Sequence, residues 1–161
     1  MGKILYFKKR GGGRLNISVF DVARMFLFIE SMTNKKLQKL CYYAQAWFLT
    51  LSGQRLFLDN IEAWVHGPVI PRLYFWYREW GGFPINQEQQ IPENISNNPQ
   101  IKNFLYQIYN IYGNRTGDQL EALTHVEQPW LNARKGLLPS LPSNNIIRDQ
   151  DMIEFYSQKL S

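Results

Sequence analysis

The sequence predicts a mainly α fold: one compact helical domain of about six or seven helices with a small two-stranded β element. Three observations predict it. Apolar residues recur at helical spacing through most of the chain. Capping residues, prolines and glycines punctuate those runs at their ends. One stretch, residues 55–65, changes to short extended pieces. The 161 residues are enough for one domain with a sizeable core. Residues 1–16 read as a basic leader ending in three glycines, and 17–161 as the helical domain.

The first helix begins near Ser18. Ser18 and Asp21 have capping-box spacing, with aspartate in place of glutamate. Val19, Val22, Ala23, Phe26 and Ile29 follow, and Met25, Leu27 and Phe28 widen the apolar surface over most of the circumference. A second helix runs from Thr33, as N-cap, to Ser52, with Gly53 after it. Its stripe is Leu37, Leu40, Cys41, Ala44, Phe48 and Leu51, with Lys35, Lys36, Gln38 and Lys39 toward the other side. Residues 55–65 read as two extended pieces around Asp59-Asn60, broken by His66-Gly67-Pro68.

Pro71 suits the first turn of a third helix, in which Leu73, Trp76, Tyr77 and Trp80 recur before Gly81-Gly82 stops it. The polar segment 83–98 reads as a long surface loop. Asn98-Pro99 starts a helix lined by Ile101, Phe104, Leu105, Ile108, Ile111 and Tyr112 and ended by Gly113. Thr116 and Gln119 cap a short helix to Thr124, and Pro129–Lys135 forms another, ended by Gly136. Ile146-Ile147 is extended, and Asp149 caps a last helix to about Lys159. There is no internal repeat.

Charge is uneven. Lys3, Lys8, Lys9, Arg10 and Arg14 precede the first acid, Asp21; setting them aside from 18 basic residues leaves 13 against 13 acidic. The net +5 therefore describes the leader, which weakens a nucleic-acid reading built on global charge. Tyr6 and Phe7 beside that arm keep a nucleic-acid-binding module as an alternative. No apolar run reaches the roughly 20 residues that cross a membrane. The N-terminus has no secretory h-region, and a single cysteine excludes an internal disulfide. The chain reads as cytoplasmic, with no cofactor and no metal site.

Catalytic vocabulary is thin. No phosphate-binding glycine loop, zinc-protease helix or nucleophile elbow occurs. A hydrolase-type alternative would use His66, His125 and Glu127. Glu62 lies four residues from His66, about 13 Å away in an extended segment at roughly 3.3 Å per residue, so it cannot orient that ring there. The plainer reading has both histidines bonding backbone at turns and helix ends. Cys41 reads as a small buried hydrophobe.

Aromatic residues are more informative. Tyr74, Phe75 and Arg78 fall off the apolar face of the third helix, and Tyr42, Tyr43 and Trp47 off the stripe of the second. Aromatics and arginine outside a buried stripe are residue types that carry protein interfaces. A core wider than the stripe explains them equally well.

Four blocks in order resemble the Panacea domain, the antitoxin domain of many bacterial and phage toxin–antitoxin pairs, which includes SocA-like proteolytic adaptors. They are KKLQKLCYYAQAWFL (35–49), IEAWVHGPVIPRLY (61–74), LTHVEQPWLNAR (123–134) and IIRDQDMIEFY (146–156). The resemblance implies a non-enzymatic protein that neutralises a co-encoded protein toxin by binding it. It leaves the toxin's identity open, along with the choice among blocking, folding assistance and delivery to a protease. Homo-oligomerisation is left open as well. The matched positions are Lys36, Leu37, Leu40, Tyr42, Tyr43, Ala63, Trp64, Gly67, Pro68, Val69, Pro71, Trp130 and Arg134. Most read as scaffold: Leu37 and Leu40 as core, Gly67 as a backbone shape others resist, Trp64 as packing beneath that turn. The expected toxin contacts are Tyr42, Tyr43, Trp47, Tyr74, Phe75 and Arg78.

Overall fold

A computed structural model describes residues 15–160. Residues 1–14 of the expected leader lie outside the described residues, and Leu15 already packs on the core. The fold is mainly α, with one two-stranded antiparallel sheet. Among the described residues there are eight α-helices: α1 (Val19–Ile29), α2 (Asn34–Ser52), α3 (Pro71–Trp76), α4 (Glu93–Ser96), α5 (Pro99–Tyr112), α6 (Gly117–His125), α7 (Gln128–Arg134) and α8 (Asp149–Ser157). The strands are β1 (Glu62–Trp64) and β2 (Gly67–Val69).

The caps follow the sequence closely. Ser18 and Asp21 bond each other's backbone at 3.2 and 3.0 Å, so the shorter aspartate completes the box. Thr33 caps α2, and Gly53 ends it in the left-handed region at φ 77°. Asn98, Pro99 and the Thr116–Gln119 box start α5 and α6 as expected. Asp149 is the first residue of α8 rather than its cap, which is Arg148.

Helix α2 is the axis of the molecule, packed by α8, α6, α1, α5 and β2. Fifteen of its 19 residues are buried, so it has little solvent face to offer its polar residues. This corrects the expectation that Gln38 and Lys39 lie on an outer side: both are buried. Buried amides need partners. Gln38 donates to Asn34 Oδ1 and accepts from the Ile70 N–H at 2.9 Å; Gln45 donates to the Phe57 carbonyl and accepts from the Leu56 N–H. Both glutamines thereby staple the 55–70 segment to α2.

The hairpin sits later than its hydrophobic pattern suggested. Residues 55–58 are not a strand; β1 pairs with β2 across Val65-His66, in the register Glu62↔Val69, Ala63↔Pro68 and Trp64↔Gly67. Gly67 is thus inside a strand, at φ 107°, where a side chain is strained. A Cβ there would also lie 2.5 Å from Lys39 Cε. The other edge of β1 takes residues 145–147, through Ala63 N–H to the Asn145 carbonyl and Ile147 N–H to the Ile61 carbonyl, both 2.8 Å. The extended reading of Ile146-Ile147 therefore has its cause in β1.

Two further departures matter for the site. The α-helix after Pro71 stops at Trp76 and continues as a 3-10 turn, Arg78–Trp80, so only Leu73 and Tyr77 of that face are buried. Trp76 is 70% exposed, contrary to its expected burial. The 83–98 segment is also less loop-like than its composition. Ile85 bridges to Met32, and α4 buries Ile95 beside α1 and α5.

Candidate functional site

A groove of about 940 Å³ runs beside the hairpin. Asn34, Lys35, Gln38 and Lys39 of α2 form its floor; Trp64, Tyr74 and Phe75 form one wall, with Arg78 beyond them. The opposite lip is residues 142–144. The three rings touch one another edge-on or tilted, with centroids 5.1 to 6.3 Å apart. Phe75 is 51% exposed, and the Arg78 guanidinium lies 5.8 Å from its ring centroid. Trp64 is only half-buried, and its ring packs against Tyr74 and Phe75 of α3. Its indole N–H donates to Glu62 at 2.9 Å.

The remaining motif positions build the platform under this wall. Trp130 donates its indole N–H to the Trp64 carbonyl at 2.8 Å, and Arg134 donates to the Ala63 carbonyl at 3.1 Å. Arg134 is buried, places its guanidinium carbon over the Trp130 ring, 4.8 Å from the centroid, and also donates to the carbonyls of Leu138 and Leu141. One guanidinium thus ties β1 to the loop after α7. Lys36 bonds Glu30 and the Gly113 carbonyl, both at 2.6 Å, joining α1, α2 and α5. Leu37, Leu40, Ala63, Gly67, Pro68 and Val69 are buried, and Pro71 opens α3 at its first position.

Tyr42, Tyr43 and Trp47 are elsewhere. All three are buried in the core, Trp47 with 1% of its surface exposed, which corrects their expected place on an outer face. Each polar tip is satisfied internally. Tyr43 and Tyr156 both donate to Glu127 Oε1, at 2.9 and 2.8 Å. Because the Tyr156 proton is used there, the 3.0 Å contact between Tyr42 and Tyr156 is a bond donated by Tyr42. Trp47 donates to the Tyr112 hydroxyl at 2.8 Å, and Tyr112 stacks on Tyr43 at 3.9 Å. Burial pushes Tyr42, Tyr43 and Tyr156 well above the usual phenol range and raises the Glu127 carboxyl. Of the six expected contacts, Tyr74, Phe75 and Arg78 share one accessible face.

His66, His125 and Glu127 do not form one constellation. Exposed His66 pairs through Nδ1 with Glu121 at 3.1 Å, a partner on α6 that sequence proximity could not supply. His125 stacks on Trp130 at 4.1 Å, and burial depresses its pKa. Glu127 is held in the tyrosine network. Of the three, His66 alone lines the groove. No group of three metal-ligating side chains occurs among the described residues, and no helix among them is long and apolar enough to cross a membrane.

The residue that sequence reading missed is Lys39. It is 1% exposed, and among the described residues its ammonium has one acceptor, the Pro68 carbonyl at 3.3 Å. Burial lowers its pKa to about 7; Glu121 offsets this and Lys35 adds to it. Burial also disfavours charge on Glu121, but hydrogen bonds from Lys35 and His66 outweigh it and hold that carboxyl below the usual range. A lysine three residues after Lys36 on a helix looks like a solvated face until the hairpin is known to cover it. Trp76 and Phe83, 70% and 77% exposed, add apolar surface near α3, and helical spacing placed Trp76 inward.

The family model described as "Antitoxin SocA-like, Panacea domain" matches residues 37–131, more than half of the chain, from α2 through the groove wall to α7. Neither the curated proteins nor the solved structures include a match. The matched span contains Tyr42, Tyr43, the hairpin and Trp130, and on it the chain belongs to the SocA-like Panacea antitoxin domain family.

Proposed function

We propose that this protein is the antitoxin of a toxin–antitoxin pair and neutralises a co-encoded protein toxin by direct binding in the cytoplasm. Family membership carries the reading. The exposed aromatic face formed by Tyr74, Phe75 and Arg78 supports it, because large rings and arginine beside a groove are the usual anchors of protein interfaces. The toxin is held and not chemically altered. Residues 17–161 act as the binding domain, with 1–16 as a leader. Co-expression with the adjacent open reading frame tests this. The expected outcome is growth rescue together with co-purification of the two products. A toxic neighbour that is neither captured nor relieved would contradict the reading.

A further inference from the structure

The charges around the groove do not balance, and the imbalance lies at its floor. Lys39 carries three potential donors and, among the described residues, has one long hydrogen bond, to Pro68. The neighbouring acids are already engaged. Glu121 bonds Lys35 at 2.6 Å and His66 at 3.1 Å, Asp118 bonds Lys35 at 2.8 Å, and Glu62 accepts from Trp64. Arg78 lines the groove with no carboxylate within ion-pair distance among the described residues. An under-coordinated buried amine and an unpaired guanidinium thus flank an exposed aromatic wall.

We infer that the groove takes an extended segment of the partner protein in which an apolar or aromatic side chain sits next to a carboxylate. The ring rests against Trp64, Tyr74 and Phe75, and the acid is directed toward Lys39 and Arg78. This rests on the reading of the chain as a protein-binding antitoxin and names the chemistry of what it binds. Charge complementarity selects an acidic segment, because a basic one would meet Lys35, Lys39 and Arg78. The wall adds apolar contact that an acid alone does not use.

The groups facing Lys39 are Lys35 on its own helix, Glu121 and His125 on α6, and the Pro68 carbonyl of β2; Glu62 and His66 line the groove nearby. With its amine half-protonated near pH 7, an incoming carboxylate draws a proton onto Lys39. Affinity for an acidic segment therefore falls by up to about tenfold per pH unit above 7.

The test titrates the full chain, by NMR and calorimetry, with blocked peptides carrying adjacent phenylalanine and glutamate. Controls replace the glutamate by glutamine or the phenylalanine by alanine. The acidic aromatic peptide is expected to bind, with at least about tenfold loss for the glutamine control and for Lys39→Met, since hydrogen bonds to charged groups carry that much. Phe75→Ala, on an exposed ring, is expected to weaken binding with the fold unchanged. Equal binding of the glutamate and glutamine peptides, undiminished binding by a folded Lys39→Met, or no binding of any peptide would overturn the inference. Preferential binding of adenosine monophosphate at the same residues would also overturn it, in favour of a nucleotide site. Failure of co-expression rescue bears on the antitoxin reading alone, because these peptides are synthetic.

Discussion

The molecule has two aromatic clusters built from similar residues, and they have opposite characters. Around Tyr43, rings from α2, α5 and α8 close on Glu127, and every hydroxyl and indole N–H there has an internal partner. Around Trp64, the rings of Tyr74 and Phe75 border open space over a lysine with one long hydrogen bond. The first cluster is complete without any other molecule. The second leaves exposed apolar surface and unmatched positive charge. Aromatic content alone does not separate fold from function; the accounting of polar partners and charge does.

Substitutions in each cluster test that contrast. Trp47→Ala removes a fully buried ring and its bond to Tyr112, so a loss of about 3–5 kcal/mol is expected in denaturant unfolding. A loss under about 1 kcal/mol would mean that the inner cluster is not the structural one. Lys39→Met should act in the opposite direction. The unfolded chain holds this proton up to about 10.5, the folded chain only to about 7. Wild-type stability therefore rises with pH between those values and is lowest below 7. The variant is expected to gain about 1–4 kcal/mol near pH 6, as replacement of buried ions by apolar groups can. The gain should shrink as pH climbs from 7 toward 10, and urea titrations of both proteins across that window check it.

Glu127→Gln is expected to change stability by less than about 1 kcal/mol, because the amide oxygen still accepts from Tyr43 and Tyr156. Its sign follows from the raised carboxyl pKa. The folded state favours the protonated acid, so wild-type stability falls as pH rises through that value, and glutamine removes the loss. The advantage of the variant should therefore vanish at pH values below the ordinary 4.5. Thermal unfolding of the pair at acid and neutral pH measures it.

Much of the fold is legible in the sequence because local chemistry fixes it. Ser18, Thr33, Gly53, Asn98 and Thr116 act within a few residues of themselves. The hairpin position was not legible, since Gln38, Gln45 and residues 145–147 select it from far along the chain. The same limit governs the site. Tyr42 and Trp47 leave a helical stripe of ordinary width, and only the closure of α5 and α8 makes the whole circumference core. His66 gained its carboxylate from α6, and Lys39 lost its solvent to Gly67. Tyr74, Phe75 and Arg78 were legible because α3 is short and buries little beyond Leu73, leaving Phe75 and Arg78 exposed and Tyr74 half-buried.

The most direct measurement is the dissociation constant between the purified product of the adjacent open reading frame, the proposed toxin, and wild-type protein or Tyr74→Ala combined with Arg78→Ala. Unfolding free energy is measured on the same samples. The outer cluster predicts binding weakened at least about a hundredfold, as for paired interface anchors, while stability stays within about 1 kcal/mol of wild type. Unchanged affinity in the folded double variant would contradict the assignment of this face to the partner.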